Sequence, residues 1–153
     1  MNEETLFDPR GAADDLFNAR RSLEPCEPVA GKYEIDMLEQ AYTVQEELIK
    51  RFHYAGSKAV GWKLGLTDPK AQEQMALQTP LFGRLLEGWR YDNGAAIPTD
   101  QLISPRVEGE LAFFFTAAIT DPEIDESALQ ANIGKVMPAL EICDSAFAGW
   151  PRS

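Results

Sequence analysis

The chain is poor in the residues that most metal and redox sites use. Its 153 residues include two cysteines, Cys26 and Cys143, and one histidine, His53. The cysteines have no zinc-type spacing, which excludes a cysteine-based zinc motif and is typical of a reducing compartment. We expect both cysteines to be small buried apolar residues, and His53, at the end of a predicted helix, to have a capping or surface role.

Clusters of basic residues and long apolar runs are also missing. Lys and Arg number 14 against 25 Asp and Glu, which gives a formal net charge of −11. This balance argues against nucleic acid and against an anionic membrane, because both attract clustered positive charge. The longest strongly apolar stretch, residues 111–119, has about half of the roughly 20 residues that a membrane span needs. With no basic and apolar signal segment at the N-terminus, we expect a cytoplasmic protein.

One domain with a substantial core is expected from the length. A chain of 153 residues buries roughly 68–70% of its unfolded surface and is too short for a second full domain. Apolar residues spaced by three and four predict a helix over residues 12–23 and a longer one over residues 38–52. Asp36 and Glu39 resemble a capping box at the start of the second helix, and Gly56 marks its end.

The apolar pattern changes to a period of two at residue 61, which predicts a strand. Trp62 and Leu64 then share one face, while Lys63 lies between Gly61 and Gly65 on the other. The elements expected after this strand are, in order, a helix over 69–75 capped by Asp68, strands over 83–89 and 95–97 around a turn at 92–94, a strand over 107–119, a turn at 121–122, a helix over 126–135 and a strand over 136–143.

Helices followed by strands predict an α+β domain, with residues 1–56 as its N-terminal helical segment. The strands over 111–119 and 136–143 are apolar enough to need cover on both faces, and the four or five expected strands do not supply it. We therefore expect the chain to be a portion of a longer protein. Expressed alone, it should be poorly soluble.

The clearest candidate site is a set of three glutamates. Glu108 and Glu110 stand two residues apart in an apolar strand, so their side chains share one face, and Glu141 follows in the next apolar strand. A divalent cation is the simplest way to neutralise such close like charges. An all-oxygen ligand set favours Mg²⁺, Mn²⁺ or Ca²⁺ and leaves room for a substrate. Spacing alone, however, more often means a sheet edge with its glutamates in water.

Lys63 and Arg106 are the candidate cations. Near a metal, Lys63 would be suited to proton transfer, and its glycine neighbours would let a ligand approach the backbone; the alternative is a solvated strand lysine. Arg106 either neutralises the acidic cluster or binds a substrate carboxylate. The chain has no Gly-x-Ser-x-Gly elbow, phosphate-binding glycine loop or Cys/His pair, so hydrolysis by a nucleophilic triad is not supported.

Five short segments together resemble one enzyme family. They are residues 41–45 (AYTVQ), 61–67 (GWKLGLT, followed by Pro69 and Lys70), 80–83 (PLFG), 105–110 (PRVEGE) and 138–141 (PALE). Each segment is weak alone, but their order and spacing are fairly specific and cover nearly the whole chain. They are similar to the 2-keto-4-pentenoate hydratases and 4-oxalocrotonate decarboxylases of the fumarylacetoacetate hydrolase superfamily.

The resemblance implies a site and an activity. Glu108, Glu110 and Glu141 match the ligands of Mg²⁺ or Mn²⁺, and Lys63 matches the active-site lysine. Residues 57–153 would form the first part of a mixed β-roll, in an enzyme that is a homo-oligomer in its full-length form. Its substrate would be a small 2-oxo acid from aromatic-compound degradation, either hydrated as a 2-hydroxydienoate or decarboxylated as 2-oxo-3-hexenedioate.

Two departures from the family pattern leave a third hypothesis open. Leu81 stands at a substrate-binding position where relatives often have an aspartate. The family's chains also continue well beyond the length of this sequence. A non-catalytic or partner-dependent fragment is therefore the alternative to a complete enzyme.

Overall fold

The computed structural model describes residues 7–150 and shows an α+β fold, as predicted. The helices are α1 Pro9–Ser22, α2 Val29–Lys32, α3 Leu38–Tyr54, α4 Pro69–Gln74 and α5 Glu126–Ala131. The strands are β1 Ala59–Gly65, β2 Leu81–Leu86, β3 Pro105–Phe115 and β4 Ile133–Asp144. In this described range, no helix combines the length and the apolar character needed to cross a membrane.

Two compact units make up the chain. Of the described residues, one unit contains those from Phe7 to Ser104 together with Ser145 to Trp150, and the other is Pro105–Asp144. The first unit holds α1 to α4 with the β1–β2 hairpin, and the second holds the β3–β4 hairpin with α5. The division predicted from sequence, at residues 56 and 57, stays a prediction.

The helical core of the first unit lies between α1 and α3. Its buried members are Ala12, Ala13, Val29 and Val44. Partly buried apolar side chains pack around them: Phe7, Leu16, Tyr33, Ile35, Leu48 and Phe147. The apolar stripes that predict these two helices are therefore the surfaces that they bury against each other.

The start of α3 differs from the prediction by one residue. The N-cap is Met37 rather than Asp36, and Gln40 acts in place of Glu39. The Oε1 atom of Gln40 accepts hydrogen bonds from the backbone N–H groups of Asp36 at 2.8 Å and Met37 at 3.0 Å. The amide three residues into the helix thus satisfies N–H groups that have no intrahelical partner.

The β1–β2 hairpin is antiparallel, with Lys63 opposite Gly83. Helix α3 contacts β2 through the backbone of Phe82. The N–H group of Phe82 donates to the Tyr42 hydroxyl at 3.3 Å, and its carbonyl accepts from Nε2 of Gln45 at 3.1 Å. The rings of Tyr42 and Phe82 also stack, with centroids 4.1 Å apart. These contacts join the helical part to the hairpin and cover polar groups of β2.

The hairpin predicted for residues 83–97, around the turn at 92–94, is wrong. Strand β2 ends at Leu86 and is followed by a 3₁₀ turn, Glu87–Trp89, while residues 95–97 are not in a strand. The predicted turn itself does form, since the N–H of Ala95 donates to the carbonyl of Asp92 at 3.0 Å and Gly94 has a φ of 83°. Pro98 follows at once and has no N–H group with which to extend a ladder.

The β3–β4 hairpin pairs antiparallel over almost its whole length. Strand β3 ends at Phe115 rather than residue 119, and α5 ends at Ala131 rather than residue 135. The chain is therefore already extended by Ile133, three residues before the predicted start of β4. Pairing across the hairpin sets these ends, because the N–H of Thr116 donates to the carbonyl of Asn132 at 2.8 Å.

One face of this hairpin is apolar and exposed. Cross-strand partners share a face, so Val107, Leu111 and Phe113 of β3 lie on the same side as Val136 and Leu140 of β4. Their exposed fractions run from 48% for Val136 to 74% for Leu140. Such a patch on the described part of the chain is an interaction surface or an aggregation site.

A charged contact joins α1 to the segment at α2. Nζ of Lys32 lies 2.7 Å from Oδ2 of Asp15, and the hydroxyl of Tyr33 donates to the same oxygen at 2.8 Å. The hydrogen bond from Lys32 is the main cause that lowers the pKa of Asp15 below its ordinary value. A carboxyl whose pKa is lower in the folded state stabilises the fold above its unfolded pKa.

Replacing Asp15 tests this contact. Asp15→Asn should lower the free energy of unfolding at pH 7 by about 1 kcal/mol or less, because the pair is partly solvated. The difference should shrink as the pH falls from the ordinary pKa of an aspartate towards the lower folded pKa of Asp15, and vanish below the folded pKa. Urea unfolding at a series of pH values measures it, with Asp100→Asn as a control. A deficit that does not change with pH would contradict the ionic explanation.

Candidate functional site

The first candidate site is the polar face of the β3–β4 hairpin. Glu108 and Glu141 are direct cross-strand partners, so both side chains leave the sheet on one face. Cys143, two residues beyond Glu141, shares that face. Ligand atoms of these three residues, one carboxylate oxygen from each glutamate and the Cys143 sulfur, all lie within 4.8 Å of one another. The register thus brings together groups that are far apart in sequence.

The other predicted residues on this hairpin lie on the same face. Glu110 is opposite Ala139, one step beyond the Glu108–Glu141 pair, and Arg106 is opposite Cys143. The close group contains two of the three predicted glutamates, with Cys143 as its third member. The role of Glu110 as a metal ligand and that of Arg106 as a substrate-binding residue stay predictions.

Cys143 is the residue that sequence reasoning missed. Both cysteines are half-buried rather than buried, and only Cys143 belongs to the candidate site. Its position two residues after Glu141 in a strand was the available signal, since such residues share a face. Cys26 lies apart in the first unit, where its sulfur donates to the carbonyl of Ala146 at 3.5 Å and burial raises the pKa of its thiol.

The donor set of this hairpin fits a divalent cation. Glu108 is exposed and Glu141 is half-buried, so a cation can reach them from solvent. It would meet one carboxylate from each strand. Carboxylates are the ligands that Mg²⁺, Mn²⁺ and Ca²⁺ prefer. The Cys143 sulfur adds a softer donor at the edge of the same group.

The second candidate site is the Lys63 face of the β1–β2 hairpin. Lys63 pairs with Gly83 and Gly65 pairs with Leu81, so all four residues share one face. The Lys63 side chain is half-buried and runs over both glycines. A Cβ atom on Gly83 would lie 3.2 Å from Cγ of Lys63, and one on Gly65 would lie 3.8 Å from its Nζ. Leu81 is half-buried beside them, and its substrate-binding role stays a prediction.

The opposite face of β1 and β2 carries a groove of about 320 Å³ against α3. The Arg84 guanidinium lies 3.8 Å from the centroid of the Trp62 ring, and Trp62 meets Phe82 edge to face. These contacts lie within the strand pair, and their side chains form one wall of the groove. His53 is exposed in the last turn of α3, away from both candidate sites in sequence.

No family model matches the chain. Curated hydratases, however, are similar to it in sequence. A 2-hydroxypent-2,4-dienoate hydratase of Pseudomonas putida is 30% identical over 149 residues, which are 97% of this chain and 66% of that protein. Another Pseudomonas putida protein, a TodF product hydratase, is 34% identical over 141 residues, which are 92% of this chain and 53% of that protein.

Solved structures are similar in fold as well. The 4-oxalocrotonate decarboxylase from Pseudomonas putida G7, complexed with magnesium and adipate, matches with a TM-score of 0.83 and 28% identity over 91% of this chain and 53% of that one. Its complex with calcium and acetate matches with a TM-score of 0.84. The chain spans about half the length of most of these relatives. In sequence and in fold, it is thus related to the 2-keto-4-pentenoate hydratases and the 4-oxalocrotonate decarboxylases.

Proposed function

We propose that this chain is part of a metal-dependent hydratase that adds water to a 2-hydroxydienoate such as 2-hydroxypenta-2,4-dienoate. The observation that carries the proposal is the direct pairing of Glu108 with Glu141 on one face of the β3–β4 hairpin. Such a pair of carboxylates suits a divalent cation. The similarity to hydratases over 97% of the chain supports the choice of reaction.

The metal proposed is Mg²⁺ or Mn²⁺, held by Glu108 and Glu141 with Glu110 as the third ligand. The decarboxylase of similar fold is complexed with magnesium or calcium, which supports a hard divalent cation. When bound, such a cation supplies Lewis-acid polarisation of a 2-oxo acid. Arg106, on the same face, is proposed to pair with the substrate carboxylate.

Lys63 is proposed as the proton-transfer group. Hydration requires a proton to move along the dienol before water adds at the conjugated carbon, and the product is a 4-hydroxy-2-oxo acid. A half-buried amine on a glycine-lined strand face suits this task, because the glycines let a substrate approach it. Leu81, on that face, would border the substrate and contribute no proton.

The two hairpins are further proposed to be part of a mixed β-roll in a homo-oligomeric enzyme. The chain spans about half the length of its relatives, and the apolar face around Leu111 and Leu140 is exposed. The remaining length of a hydratase would supply strands to cover that face.

Metal binding tests the glutamate pair. Glu108→Gln should weaken Mn²⁺ binding by about tenfold or more, because a neutral amide replaces a charged ligand. Titration of free Mn²⁺ by electron paramagnetic resonance measures the affinity. Glu123→Gln, in the connection between β3 and β4, removes the same charge outside the paired strands and should have little effect.

The third ligand is decided by two further variants in the same titration. If the three glutamates bind the metal, Glu110→Gln weakens Mn²⁺ binding and Cys143→Ala does not. The reverse result would replace Glu110 by Cys143 in the ligand set. Unchanged binding in Glu108→Gln would refute the proposed site altogether.

Turnover by the natural form of the protein tests the reaction. Lys63→Ala should lower kcat for hydration of 2-hydroxypenta-2,4-dienoate by about 10²-fold or more, as expected for a lost acid–base group. The exposed Lys58→Ala serves as the matched control. Full activity of Lys63→Ala would rule out the lysine's role. Release of CO₂ from 2-oxohex-3-enedioate, without hydration of the dienoate, would instead establish the decarboxylase alternative.

The exposed apolar face favours a second candidate, a fragment that acts only with a partner. The intact mass of the natural gene product separates the two candidates. A mass well above 17.0 kDa means that the same chain covers the face. A mass of 17.0 kDa means that a partner must do so, or that the role is not catalytic.

The exposed apolar face should affect how the 17.0 kDa chain behaves when it is expressed alone. It should self-associate, and Leu111→Gln should reduce this association because it removes apolar area from the centre of the patch. Met37→Gln is the control, since Met37 is 59% exposed and Leu111 is 60% exposed. Sedimentation velocity measures the outcome. A wild-type chain that stays monomeric at high concentration would contradict the prediction.

A further inference from the structure

We propose that Gly83 is a positioning residue for Lys63. The proposal rests on the function proposed for Lys63 and concerns how that side chain is held. Lys63 and Gly83 are direct cross-strand partners, and the side chain of Lys63 passes over the site where Gly83 would carry a Cβ atom. That atom would lie 3.2 Å from Cγ and 3.6 Å from Cδ of Lys63. The absence of a side chain on Gly83 thus lets the lysine stem pass closer to β2 than a Cβ atom would comfortably allow.

Backbone conformation does not explain a glycine at this position. The glycines with positive φ in the described range are Gly56 and Gly94, so Gly83 has a backbone that any residue adopts. A glycine inside a strand is destabilising relative to alanine, so alanine at residue 83 should favour the strand. The close approach of the lysine stem is the observed contact that favours a glycine there.

Residue 83 affects the position of the Lys63 amine because it contacts the lysine side chain near its root. The nearest atom is Cγ, close to the root of the side chain, and a methyl group at residue 83 must displace the stem there. A rotation about a bond near the root of the lysine side chain displaces Nζ further than a small shift at the tip of that side chain does. Gly65 differs, because a Cβ there would meet Nζ at 3.8 Å, an ordinary van der Waals distance.

The same strand offers a matched control. Gly61 lies on the same face of β1, two residues before Lys63. A Cβ on Gly61 would meet Cδ1 of Leu85 at 3.6 Å, which is again an ordinary contact. Gly61→Ala therefore makes the same chemical change in the same hairpin without touching the lysine.

Amine labelling of the full chain tests the placement without turnover. The rate at which acetic anhydride modifies Lys63 is followed by mass spectrometry over a range of pH. Gly83→Ala should change this rate by about two- to tenfold, the equivalent of one strained side-chain torsion. The rates at Lys58 and Lys70 should not change, and Gly61→Ala should leave Lys63 as in the wild type. A folded Gly83→Ala with wild-type labelling and pH dependence at Lys63 overturns the proposal.

Turnover adds a second readout. In the catalytically active form, Gly83→Ala should lower kcat on the order of tenfold or more, because the amine is displaced from the position that proton transfer needs. KM should change little, because the residues proposed to bind the substrate are unaltered. If labelling changes in Gly83→Ala while Lys63→Ala keeps full activity, the positioning stands and the proposed function of Lys63 fails. If labelling is unchanged while Lys63→Ala is inactive, the function stands and the positioning fails.

A measurement on the unaltered protein covers the case in which Gly83→Ala does not fold. Nuclear Overhauser contacts between the α protons of Gly83 and the γ protons of Lys63 report the stem's path directly. Strong contacts support the proposal. Their absence, with the neighbouring cross-strand contacts of β1 and β2 present, overturns it.

Discussion

The antiparallel register of the two hairpins is the constraint on which both candidate sites depend. In β3–β4 it sets Glu108 opposite Glu141, and in β1–β2 it sets Lys63 opposite Gly83. A shift of one residue in either ladder would move these side chains to the other face, because side chains alternate along a strand. In the β3–β4 hairpin, the same shift would bring the apolar face around Leu111 to the polar side.

Charge makes the β3–β4 register informative about function. Two glutamates directly opposite each other destabilise a strand pair, typically by a few tenths of a kcal/mol to about 1 kcal/mol. In the proposed function, a bound divalent cation would offset this cost, since anything that binds only the folded state stabilises it. The Cys143 sulfur lies beside the pair and would add a softer donor.

The two faces of the β3–β4 hairpin then have separate tasks. One carries the acidic group, and the other exposes Val107, Leu111 and Leu140. Burial of such side chains is the main favourable term in folding, so a surface of this kind is stable only when another element covers it. The relatives have about as much chain again as the part matched here.

The sequence by itself determined the local features: the stripes of α1 and α3, the Asp68 cap of α4, and the strand around Lys63. Periodicity and capping act between residues a few positions apart, so a sequence shows them directly. It also placed Glu108 and Glu110 on one face. Only the tertiary structure decided the early end of β3, the absence of a strand at residues 95–97, the grouping of Cys143 with Glu108 and Glu141, and the path of Lys63 over Gly83. The end of β3, the grouping of Cys143 and the path of Lys63 depend on which distant residues pair between strands, and the hydrogen-bonded register, not local spacing, settles that pairing.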